Sequence, residues 1–96
     1  MYLGTYEFDG DPDDLAERFD RLAAAFPPGS LLLNACVRRP GGITVIDTCP
    51  TEADFRAFSA GADLAAGLAS VGLGTPRVTA LGEVHALQGT CTRAPA

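Results

Sequence analysis

The chain has no lysine, no tryptophan, one histidine and three cysteines in 96 residues. Each scarcity excludes something. All seven bases are arginine against twelve acids, a net charge of −5, which makes nucleic acid and anionic membranes poor partners. A structural zinc site needs four converging N or S ligands, and Cys36, Cys49, Cys91 and His85 show no metal-ligand spacing. No metal and no cofactor is therefore expected. Three thiols without an export signal read as reduced cysteines of a cytoplasmic protein. No apolar run approaches the roughly 20 residues that span a bilayer. Met1 leads into a strand pattern instead of a basic and apolar leader, so no membrane role is expected. Gly72-Leu73-Gly74 lacks the third glycine of a dinucleotide-binding turn.

What remains is ordinary globular composition, 47% hydrophobic and 20% charged, at a length suited to one domain. Residues 2–8 read as a strand. Asp11 and Pro12 then open a helix with Asp13 and Asp14 in its first turn, where the helix dipole favours negative charge. Leu15, Phe19, Leu22 and Phe26 form its apolar stripe, and Pro27-Pro28-Gly29 ends it. Residues 31–38 and 43–48 predict a hairpin around Arg39-Pro40-Gly41-Gly42. Thr51 and Asp54 resemble a capping box before a helical face of Phe55, Phe58, Leu64, Leu68 and Val71, with a break at Gly61. Residues 77–87 alternate as a last strand. Residues 1–88 are thus expected to form one domain, and 89–96 a flexible C-terminal tail.

The order β-α-β-β-α-β predicts an α+β fold, a ferredoxin-like split βαβ arrangement with a four-stranded antiparallel sheet and its helices on one face. Alternation assigns Leu31, Leu33, Ala35 and Val37 to the helix side and Leu32, Asn34, Cys36 and Arg38 to the other. Ile43 and Val45 oppose Thr44 and Ile46; Val78, Ala80 and Val84 oppose Leu81, His85 and Leu87. The uncovered face would then hold Leu32, Asn34, Cys36, Ile46, Leu81, His85 and Leu87, too apolar for open water. A homodimer with sheet facing sheet is the simplest cover.

The stretch ITVIDTCPTEADFRAFSAGADL, through Asp47, Thr51, Glu52, Phe55 and Phe58, resembles the dimeric α+β barrel superfamily and specifically antibiotic biosynthesis monooxygenase-like proteins. The resemblance spans about residues 1–88 and implies a homodimer enclosing a barrel pocket. It also implies an aromatic or polyketide-like small-molecule substrate and secondary-metabolism chemistry, either cofactor-free oxygenation or cyclisation and isomerisation. Oxygenase members often carry a pocket tryptophan, which this chain lacks, and one histidine excludes a histidine pair.

Within that pocket three residues are candidate catalytic groups. His85 can take or give a proton near neutrality, against a reading as an interface histidine. Glu7, on the Leu3–Thr5–Glu7 face of the first strand, can orient His85 or act as base; alternatively Tyr2, Tyr6 and Phe8 face the pocket and Glu7 only ends a strand. Asn34 either holds a substrate oxygen or pairs across the dimer. Thr5, Leu32, Cys36, Ile46 and Leu81 are the candidate substrate-binding residues. Cys36 reads as a small hydrophobe rather than a nucleophile. Asp47 reads as a turn or capping acid, and the Arg38-Arg39 pair as a solvated turn or a greeting point for an anion. A non-catalytic binding or assembly module is the competing function.

Overall fold

The computed structural model describes residues 1–26 and 33–89. Seven elements follow in order: β1 (Tyr2–Asp9), α1 (Pro12–Ala24), β2 (Asn34–Arg39), β3 (Gly42–Cys49), α2 (Glu52–Ser59), α3 (Ala62–Ser70) and β4 (Arg77–Glu83). The four strands make one antiparallel sheet in the order β2-β3-β1-β4. Each helix starts where local chemistry directs it. The Asp11 carboxylate accepts the Asp14 N–H at 2.9 Å, and Pro12 begins α1, where its missing N–H costs nothing. Thr51 Oγ1 accepts the Asp54 N–H at 3.1 Å and opens α2. Gly61 separates α2 from α3.

α3 closes in a Schellman motif. Gly72 takes φ +77, its N–H bonds the Ala69 carbonyl, and the Leu73 N–H reaches the Leu68 carbonyl at 2.9 Å. Leu73 is thereby turned into the core. Arg18 of α1 donates to the Val71 and Gly72 carbonyls at 3.3 and 3.4 Å, tying the two helices together at this end.

Tyr2, Gly4, Tyr6 and Phe8 of β1 point to the helices, beside Ile43 and Val45 of β3. The centre of this layer is Phe55, only 1% exposed, which lies over Gly4 between the rings of Tyr2 and Tyr6, with centroids at 5.7 and 5.8 Å. A Cβ at position 4 would run into the Phe55 ring, so glycine there makes the slot in which the ring sits.

The α+β class and the four-stranded antiparallel sheet are as expected, but no barrel forms. The sheet is open: β2 and β4 are its edges among the described residues, and neither curls back to the other. Two further expectations fail, each because of how a strand pairs with its neighbour. In β2 the inward residues are Asn34 and Cys36, opposite Asp47 and Val45, while Ala35 and Val37 face outward. The Pro40-Gly41 turn, with Gly41 at φ +82, closes on the Arg39–Gly42 pair and so sets the parity, which the alternation within β2 does not. The last strand is also shorter than expected. β4 pairs with β1 only as far as Glu83, and the final bond runs from the Val84 N–H to the Met1 carbonyl at 2.8 Å. His85 and Leu87 follow beyond that last partner and are exposed.

Candidate functional site

The sequence-derived site residues do not converge. Glu7, Thr5 and Ile46 share the open sheet face, where Glu7 meets Arg39 at 3.7 Å. Leu81, 61% exposed, stands at a register shift in β4, and His85 lies past the strand's end. Asn34 and Cys36 are on the opposite, helix-covered side. Leu32 lies outside the described residues. No group of these residues forms an enclosed acid–base pair with His85.

A different cluster is assembled on the covered side. Asp47, only 2% exposed, follows Ile43 and Val45 on the inward face of β3 and stands between Asn34 of β2 and Gly4 of β1. Its expected role as a turn or capping acid is thus corrected: Thr51 and Asp54 do the capping, and Asp47 is part of the interior. The Asn34 Nδ2 donates to Asp47 Oδ1 at 3.5 Å. The Tyr6 hydroxyl donates to Oδ2 at 3.4 Å, and the Cys49 thiol to the same oxygen at 3.9 Å. These are long contacts, because carboxylates usually draw their donors to about 2.7–2.9 Å. Burial pushes the Asp47 pKa up, while the bonds from Asn34 and Tyr6 oppose that shift. Burial, reinforced by the Asp47 charge, likewise raises the Tyr6 phenol and the Cys49 thiol, so neither is an activated nucleophile.

Asp47 and Asn34 are the polar groups in the floor of a cleft between α1, the α2–α3 pair and the sheet. Its walls carry five of the chain's seven aromatic rings, Tyr6, Phe8, Phe19, Phe26 and Phe58, together with Leu22 and Leu64. Phe26 and Phe58 face each other at 6.4 Å from the two sides. The cleft is open on one side and holds about 40 Å³. At roughly 10–15 Å³ per water that holds a few waters or one small head group. A larger hollow of about 390 Å³ lies between α3, the following turn and β4. Its lining is mostly small and apolar, with Ser59 and Thr75 as its hydroxyl groups and no ionisable side chain.

Sequence reasoning missed Asp47 as a site residue although its signal was present. Counting by twos from Ile43 places it inward, and a buried acid is the informative exception in a strand.

Compared with protein-family models, curated proteins and solved structures, the chain matches none. The resemblance to antibiotic biosynthesis monooxygenase-like proteins is therefore corrected, and the barrel-pocket, secondary-metabolism chemistry inferred from it goes with it. No described helix is long and apolar enough to cross a membrane. The fold and the cleft define an α+β domain with a carboxyl and an amide beneath aromatic walls.

Proposed function

We propose that this domain binds a small molecule in the cleft over Asp47. The observation that carries the reading is Asp47, only 2% exposed, at the floor of an aromatic-lined cleft. An apolar cavity with few, well-placed polar groups is the usual form of a small-ligand site. A carboxyl kept only for stability is a poor choice, because burying it costs more than an apolar residue of the same size. The cleft is open to solvent on one side, so a ligand's head group can enter it while the rest lies between the flanking rings.

The test is to fill the space. Ala23 lines it from α1, and Ala23→Leu should abolish the amide and aromatic shifts that small fragments cause in the wild-type NMR spectrum. Shifts that persist in Ala23→Leu, or fragments that never move Phe19, Phe26 or Phe58, would overturn the assignment.

For the open sheet face we propose a second copy of this chain, stacked face to face with both sheets remaining open. Leu3, Val37 and Ile46 accompany a balanced set of charges there, Glu7 and Asp9 against Arg39 and Arg77. In a chain of net charge −5, this is a neutral side on an acidic molecule, the side that repels its own copy least. Light scattering at micromolar concentration should give the mass of a pair for the wild type and of one chain for Ile46→Glu. A single-chain mass for the wild type, or a pair mass retained by the variant, excludes the stacked pair.

A further inference from the structure

The chemistry around Asp47 narrows the ligand class, and this step rests on the reading of the cleft as a binding site. We infer that the ligand presents an organic ammonium head to Asp47, on a slender apolar body held by the surrounding rings.

Three observations converge on a cation. The first is the pattern of hydrogen bonds. Both carboxylate oxygens accept, Oδ1 from Asn34 and Oδ2 from Tyr6 and Cys49, so the neighbours are arranged around an anion. The second is the lack of a counter-charge. Among the described residues no arginine, histidine or amino terminus forms an ion pair with Asp47, and the cleft lining contains no base. The Asn34, Tyr6 and Cys49 donors also sit beyond ordinary carboxylate distances. The third is the walls. Faces of Tyr and Phe attract an organic cation and tolerate its alkyl substituents, and five such rings line this space.

The competing ligand classes fit less well. A carboxylate or phosphate would meet Asp47 with like charge and no arginine to offset it. A hard metal ion takes six or more oxygen ligands, whereas one carboxylate, one amide and one phenol gather here. A neutral alcohol can donate to the carboxylate but leaves the buried charge uncompensated. The cleft of about 40 Å³ takes a small head group, with a slender body extending between the rings toward its open side.

The experiment is an NMR titration of the full chain with n-butylamine, n-butanol and butyrate, near-equal in shape and different in head-group charge. The amine should bind about tenfold to a hundredfold more tightly than the alcohol, the range expected for one charge-assisted hydrogen bond. Butyrate should not bind. In Asp47→Asn the preference for the amine over the alcohol should collapse to about twofold or less. Equal binding of amine and alcohol by the wild type overturns the cation inference but leaves the cleft as a binding site. Preference for the amine that survives in Asp47→Asn also overturns it. If none of the three binds, the cleft assignment fails as well. The wild-type series decides the matter even if the variant folds poorly.

Discussion

The two faces of the sheet are built from the same four strands and solve opposite problems. On the covered face, rings and aliphatic side chains exclude water so completely that Phe55 and Ile43 are at most 1% exposed. One acid, Asp47, is left inside among uncharged donors. On the open face, acids and bases answer one another in water, with Asp9 bridging Arg77 and Arg39 and Glu7 beside Arg39. Charge on the outer face is balanced by charge; on the inner face it is not. The lesson is that a carboxyl is most informative where its usual partner is absent.

The largest break in the comparison should come from Phe55→Ala. Removing the ring that fills the Gly4 slot should cost about 3–5 kcal/mol in urea unfolding, whereas Val37→Ala on the open face should stay within about 0.5 kcal/mol. Similar losses at both positions would show that the open face is as tightly packed as the covered one. Next comes Gly4→Ala, which pushes a methyl group into the Phe55 ring and should cost about 1–3 kcal/mol. The double variant Gly4→Ala/Phe55→Ala should then be less damaging than the sum of its parts, because the methyl group occupies the vacated slot.

The smallest effects are in pH dependence, and they have opposite signs on the two faces. Burial raises the Asp47 pKa above its unfolded value, so the folded state binds the proton more readily there. Its contribution to stability is present below the ordinary carboxylate range and is lost as pH rises through the raised value. Asp47→Asn should therefore be at least as stable as the wild type at neutral pH and lose that advantage in acid. Asp9 behaves in reverse. Its bonds from Arg77 and then Arg39 lower its pKa, so its contribution is present above the ordinary range and is lost as pH falls. Salt should weaken the Asp9 effect, which is fully exposed, and leave the Asp47 effect nearly untouched. Parallel pH profiles for Asp47→Asn and Asp9→Asn would contradict the contrast.

Local chemistry was legible residue by residue. The Asp11 and Thr51 caps, Pro12 at the start of α1, the break at Gly61 and the turn at Pro40-Gly41 all stand where the sequence places them. So does the inward pair Ile43 and Val45. The expected site was read from strand faces, and there the reading failed at the sheet's edges. Asn34 and Cys36 turned inward because the hairpin closes on Arg39 and Gly42. His85 fell beyond the sheet because β4 ran out of partner at Met1. Alternation within one strand cannot report either fact, since both depend on the neighbouring strand.

By itself, then, the sequence determined which segments become helices and strands and where the two capped helices and the hairpin turn begin. Those choices rest on caps, turn residues and periodicity acting over a few residues. Only the tertiary structure decided that the sheet stays open, that Gly4 receives Phe55, and that Asp47 meets Asn34, Tyr6 and Cys49 beneath five aromatic rings. The physical reason is register. A shift of one residue in pairing exchanges the two faces of a strand, and pairing is fixed by contacts between segments far apart in the chain.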